Sequence, residues 1–256
     1  MAKKKGNKIR PIASVSNEVL EWKRSGLSVV EMRMWVAILS YVWNTEKSHI
    51  EMSIDDFRDL ANIPQNIYGK RLTEFVINTA MKIQAMTVGY YKTPEGEYGA
   101  AWFFTETFKI TPNNILVMDI NEKYMQLLKS ARGNYTKFAI DDFKVLSHKM
   151  SQYLFLRINR ERFKLYNSGV YEKLYISKAD LEDELDAHNY SSHDFNVRII
   201  RPAIKELNDR NSLDLDIGYE IVKAGKKLVG YNFIIGNPKS NTESIQAEED
   251  EWDIPF

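Results

Sequence analysis

The 256-residue sequence predicts an α+β protein in which one unit, three helices followed by a β-hairpin, occurs twice in tandem ahead of an acidic tail. Three observations carry this. Apolar residues repeat with a helical period in two long segments, and each is followed by a short segment opening on a capping serine. A further helix and a pair of alternating strand patterns follow in both cases. The last sixteen residues hold six acids and no Lys or Arg.

In chain order, residues 27–42 place apolar side chains at 27, 30, 34, 35, 38, 39 and 42, the i, i+3/i+4 spacing of an amphipathic helix. Ser53 caps a short helix, with Asp56 at the capping-box position three residues on. Pro64 opens a third helix over about 65–82. A β-rich stretch over 84–119 follows, where Thr93-Pro-Glu-Gly96 turns a hairpin between 87–91 and 101–108. The order then recurs: a long helix at 146–158, a serine-capped helix at 177–185, and a third helix at 191–208. Strands at 213–221 and 228–235 flank Lys223-Ala-Gly-Lys-Lys227, a hairpin with a basic tip. This is the element order of a winged helix. The expected organisation is a basic arm (1–14), a first winged-helix domain (15–120), a connector with a short helix at 121–128 (121–145), a second winged-helix domain (146–236) and a flexible acidic tail (237–256).

Composition removes several classes of function. Cysteine is absent, which excludes disulfides, thiolate catalysis and Cys-ligated zinc. No apolar run approaches the ~18 residues of a membrane span. The basic start lacks the apolar region of a secretory leader, so a cytoplasmic protein without a membrane partner is expected. The zero net charge conceals segregation: 35 basic residues face 29 acidic ones over 1–240, and Lys3, Lys4, Lys5, Lys8 and Arg10 crowd the start. A basic body suits a polyanion, and a separate acidic tail suits a different partner.

The third helix of the second unit is the most informative element. On a 100° wheel Phe195, Ile199, Ile200, Ala203, Ile204 and Leu207 share one side, and Asp194, Arg198, Arg201, Lys205 and Asn208 form a stripe opposite. Ser191 and Ser192 are N-cap candidates, and with His193 and Asn196 they offer a polar helix start to base edges or phosphates. A helix with an outward basic stripe fits the major groove, where Arg pairs bidentately with guanine. Lys223, Lys226 and Lys227 give the adjacent wing the same preference. The first unit offers Gln65, Asn66, Tyr68, Lys70 and Arg71 on its third helix, but its hairpin tip, Pro94-Glu-Gly-Glu97, is acidic. With that tip, the first unit either reads DNA mainly by its helix or has another task, such as self-association, as a partner domain with lesser DNA contact.

The run Asp194-Phe-Asn-Val-Arg-Ile-Ile-Arg-Pro-Ala-Ile-Lys-Glu-Leu-Asn208, with the strands after it, resembles the second winged-helix domain of the RepB-type (Rep_3) initiators of iteron plasmids. The likeness extends over about 15–236 and is most specific in 150–235. It implies binding of double-stranded origin DNA with direct repeats, autorepression by dimers, and recruitment of the host helicase or its loader, without catalysis or a cofactor. A winged-helix transcriptional repressor is the alternative.

An enzymatic initiator of the rolling-circle kind needs a His-x-His metal pair, and His49, His148, His188 and His193 contain none. No Gly-rich phosphate loop ending in Gly-Lys-Ser/Thr occurs. Asp55/Asp56 and Asp141/Asp142 fit helix N-terminal charge better than a metal site. The final Glu248-Glu-Asp-Glu-Trp-Asp-Ile-Pro-Phe256 is similar to the tip of bacterial single-stranded-DNA-binding proteins. The resemblance implies docking of Trp252, Asp253, Ile254, Pro255 and Phe256 on host replication proteins that bind such tips, with the terminal Phe in an apolar pocket.

Overall fold

The computed structural model describes residues 12–16, 26–86, 89–92, 98–101, 103–122, 124–126, 135–168, 173–210 and 216–236. It divides into two compact units, one taking in Val30–Val145 and the other Leu146 onward with Lys23–Val29.

The first unit contains β1 (Ile12–Ser16), α1 (Val29–Thr45), β2 (His49–Ser53), α2 (Ile54–Ala61), α3 (Lys70–Met86), β3 (Gly89–Lys92), β4 (Tyr98–Ala101), β5 (Phe104–Ile110), β6 (Ile115–Ile120), β7 (Tyr135–Ala139) and α4 (Ile140–Lys144). Helix α1 is the core element. Every residue from Glu31 to Ser40 is buried, so it is covered on all sides rather than on one face. Its acid Glu31 is matched by Lys82 Nζ, 2.7 Å from the carboxylate. Phe57, Val76, Ile83, Phe103, Leu116 and Met118 are buried as well. The Ser53 cap forms as the sequence implies: its Oγ accepts from Asp56 N at 3.0 Å and donates to the Asp56 carboxylate at 2.7 Å.

Three expectations for this unit need correction. The third helix begins at Lys70 instead of 65, because the chain first turns, with Ile67 N donating to Pro64 O at 3.0 Å, and then passes through Gly69 at φ +55°. A left-handed residue interrupts helix propagation, and glycine supplies it without steric cost. One hairpin was expected where two form, β3–β4 and β5–β6, and the latter joins β2 in a sheet of order β2-β6-β5. The stretch expected as a connector contributes β7 and α4. β7 pairs antiparallel with β1, Ile12 opposite Ala139, so part of the expected basic arm is a strand. Of the short helix expected at 121–128, residues 122 and 124–126 are helical, Asn121 precedes the helix, and 123 and 127–128 lie outside the described residues, as does the hairpin tip at 94–97.

The second unit contains α5 (Lys149–Ser168), β8 (Lys173–Ser177), α6 (Lys178–Leu185), α7 (Ser192–Phe195), a π turn (Asn196–Ile200), α8 (Arg201–Asp209), β9 (Asp216–Ala224) and β10 (Lys227–Gly236). Its sheet order, β8-β10-β9, follows the same path as β2-β6-β5. Helix, strand, serine-capped helix, helix and two strands, twice, makes each unit a winged helix.

Phe195 stacks on Tyr231 at 6.2 Å between ring centroids, and Tyr231 on Phe233 at 6.2 Å, so the third helix rests on the sheet through aromatic rings. Burial holds the Tyr231 phenol well above its usual pKa, and its hydroxyl has no partner. On the far side of α8 the buried Glu206 carboxylate accepts from Ser147 N at 2.7 Å, Ser147 Oγ at 2.6 Å and His148 N at 3.1 Å. It thereby satisfies amides ahead of α5 that the helix itself cannot pair. Burial opposes its charge, but the Ser147 and Ser151 hydroxyls and the Ser147 and His148 amides outweigh that, leaving its pKa below the ordinary glutamate value.

Since the folded pKa is the lower one, Glu206 stabilises the fold above the ordinary glutamate range and loses that contribution as pH falls through the folded value. Glu206→Gln should destabilise the protein by about 1–3 kcal/mol at pH 7 and flatten the acid limb of its stability. Thermal unfolding between pH 3 and pH 7 checks both. An unchanged acid limb would show that the contact carries no charge-dependent stability.

Candidate nucleic-acid interface

The third helix of the second unit is one path from Ser192 to Asp209 with a wider turn in the middle. Ser191 caps it, its Oγ accepting from Asp194 N at 3.0 Å and donating to the Asp194 carboxylate at 2.8 Å. Arg201 N then donates to Asn196 O, five residues back. Pro202 explains the π turn. Its nitrogen carries no hydrogen and its ring excludes the carbonyl four residues earlier, a conflict that one extra residue in the turn relieves.

Beside this helix the wing closes in a two-residue turn, with Gly225 at φ +64°. It projects because β8 stops early: Ser177, the last residue of β8, lies opposite Gly230, while β9 and β10 continue pairing to Ala224 and Lys227. At the base of the wing the Tyr175 hydroxyl donates to Val229 O at 3.3 Å. A Cβ on Gly230 would stand 2.6 Å from the Tyr175 ring and 2.7 Å from Ile176 O. Only glycine fits that approach.

Helix and wing enclose an open groove of about 660 Å³. It brings together Ser192, His193, Asn196 and Arg201 from the helix with Lys223, Lys226 and Lys227 from the wing. The remaining candidates stand elsewhere. Ser191 is occupied in the cap. Arg198 is 70% exposed but turned to Asp194, its Nε 3.0 Å from the carboxylate, and does not line the groove. Lys205 is exposed beside a separate depression with His148 and Pro202. Asn208 is structural: its amide donates to Ile217 O and accepts from Ile217 N, both at 3.0 Å. The continuous stripe drawn on the wheel is thus split, because the π turn changes the rotation between the residues before and after Arg201. Asn196 also departs from an outward reading. It is 7% exposed, forms the floor of the groove, and its Oδ1 has no hydrogen-bond partner. Sequence reasoning missed Val197, 39% exposed, together with Ile221 and Leu228, all lining the same groove. The wheel itself sets Val197 beside Arg201, which was the available signal.

In the first unit Gln65, Asn66 and the 68% exposed Tyr68 occupy the turn ahead of α3, with Lys70 and Arg71 at its start. Lys70 Nζ lies 3.5 Å from Glu74. The hairpin equivalent to the wing is β5–β6, turning at Thr111-Pro-Asn-Asn114 without a charge. Ser53 pairs with Ile115 itself, so no ribbon projects beyond β2. Residues 252–256 lie outside the described residues. Among those described, no cluster of His, Asp and Glu is placed to hold a metal ion, and no helix is long and apolar enough to cross a membrane.

Comparison with known proteins agrees with this architecture. Residues 12–159 match the family model described as initiator replication protein, WH1, and residues 177–235 match initiator Rep protein, WH2. The chain is 22% identical to the probable replication protein rep of Bifidobacterium longum (strain NCC 2705), over 93% of this chain and 80% of that one. Its fold is similar to that of domains 2 and 3 of RctB, with a TM-score of 0.50, 13% identity and 82% of each chain covered.

The Gly230 contact gives a test of the wing that removes no charge. Gly230→Ala should cost about 1–3 kcal/mol through the clash with Tyr175 and Ile176, read by thermal unfolding. A neutral result would mean that the wing base is looser than the approach of Tyr175 implies.

Proposed function

The chain belongs to the replication initiator family built from WH1 and WH2 winged-helix domains, and from that premise we propose that it binds double-stranded origin DNA with direct repeats through the groove of its second unit. The observation that carries this is the convergence of Arg201 with Lys223, Lys226 and Lys227 from two separate elements around one open groove. The helix enters the major groove start first, Ser192 and His193 leading, and Arg201 meets a guanine edge. The wing lies along the adjacent backbone, where its lysines neutralise phosphates and release counterions.

The first unit, with an uncharged short hairpin, is the lesser DNA contact and serves self-association. Tyr68, Lys70 and Arg71 touch phosphates on the flank. Dimers formed this way repress the chain's own promoter, while monomers occupy the repeats. The acidic segment ending in Trp252-Asp-Ile-Pro-Phe256 engages host replication proteins, and with the host helicase or its loader these supply the catalysis that this chain does not.

The reading is tested on DNA flanking the coding region, by footprinting and by affinity across a salt series. Protection of regularly spaced direct repeats is expected. Arg201→Ala should weaken binding to them by about 1–3 kcal/mol. Replacing Lys223, Lys226 and Lys227 by Ala should lower the log–log salt slope by roughly 2 to 3. Unchanged affinity and slope in both variants would overturn the assignment of the groove.

A further inference from the structure

The groove is basic at its rim, yet three of its lining residues are apolar: Val197 on the helix and Ile221 and Leu228 on the wing. Leu228 is 8% exposed and belongs to the floor. Val197 is different. It is 39% exposed on a helix whose outward neighbours are polar or charged, and it lines the open groove. A β-branched residue at an exposed helical position also carries a small propensity cost. The basic residues around it, Arg201, Lys223, Lys226 and Lys227, disfavour an apolar protein surface as its occupant and favour a polyanion. Within a major groove one apolar group recurs on base edges, the C5-methyl of thymine.

We infer that Val197 is a specificity-determining residue that packs on a thymine methyl group, close to the guanine read by Arg201. This rests on the reading of the groove as a DNA site. The spacing is consistent: four residues rise at most about 6 Å, the α-helical value, and less through the π turn, while successive bases are about 3.4 Å apart along a strand, so the two contacts fall within about two base pairs of each other. Arg201 supplies the donors and Val197 the apolar contact, which together distinguish a T·A pair from C·G at a fixed distance from a guanine. Asn196 beneath them makes the floor and takes no part in the contrast.

Replacing thymine by uracil deletes the methyl group and nothing else. A duplex selected by the full chain from a random library would be rebuilt with each thymine changed singly to uracil, and affinities of the wild type and of Val197→Ala measured at one salt concentration. The wild type should lose roughly fourfold at one thymine, the effect of exposing one methyl-sized group. That thymine should lie within two base pairs of a guanine whose replacement by 7-deazaguanine weakens the wild type and not Arg201→Ala. Val197→Ala should bind thymine and uracil equally at that position, and Val197→Ile should keep the preference. Indifference of the wild type to every uracil overturns the inference, as does full thymine sensitivity in Val197→Ala. If the library yields no selected sequence, the DNA-binding reading itself falls. Because Val197 is exposed, its variants should unfold at the wild-type temperature, which separates recognition from folding.

Discussion

In the three-stranded sheet of each unit the first strand pairs with the last, β2 with β6 and β8 with β10, and the point at which that pairing stops decides how much hairpin projects from the sheet. In the second unit Ser177 meets Gly230, leaving a two-stranded ribbon beyond it that ends at Gly225 and Lys226. In the first, Ser53 meets Ile115 at the beginning of β6, and no ribbon remains. One fold thus gives one unit with a projecting wing and one whose equivalent hairpin is short. The close approach of Tyr175 to Gly230 keeps the ribbon anchored where it leaves the sheet. The groove exists because of that register.

The other wall of the groove is set by packing beneath the third helix. Phe195 and Tyr231 seat its beginning on the sheet, Glu206 ties its later turns to the start of α5, and Asn208 pins its end to β9. Between these anchors the π turn absorbs Pro202. An unpartnered Tyr231 hydroxyl and Asn196 Oδ1 lie close to the same helix. Leaving such groups unpaired costs stability, and that cost sits where the helix must hold one rotation relative to the wing. Rotation matters because it turns Arg201 and Val197 into the groove and leaves Arg198 and Lys205 outside.

Much of this was legible in the sequence. Ser53 and Ser177 mark their helices through local capping chemistry, and the 223–227 tip declares itself by a glycine between lysines. The repeated order gave both winged helices, and the family match over 12–159 and 177–235 agrees with it. What escaped depends on distant partners or on helix geometry that an ideal wheel ignores. β1 and β7 are five-residue strands that pair across more than a hundred residues, so neither has a local signature. The Thr93-Pro-Glu-Gly96 signal marks a turn locally, while only the sheet order shows that the hairpin equivalent to the wing is β5–β6, turning at Thr111-Pro-Asn-Asn114. Burial refines two positions on the helix. Asn196, expected at the DNA, lies in the floor of the groove, and Val197, which carries no expectation from the sequence, lines it at the surface.

The absence of cysteine makes one direct measurement clean. A single cysteine introduced at Lys226, on the wing of the second unit, or at Asn113, on the short turn of the first, carries a tethered iron–EDTA cleavage reagent. On bound origin DNA the reagent at 226 should cut at a fixed place within each protected repeat, while the reagent at 113 should cut weakly or diffusely. Strong localised cutting from 113 with none from 226 would contradict the assignment of the DNA-reading groove to the second unit.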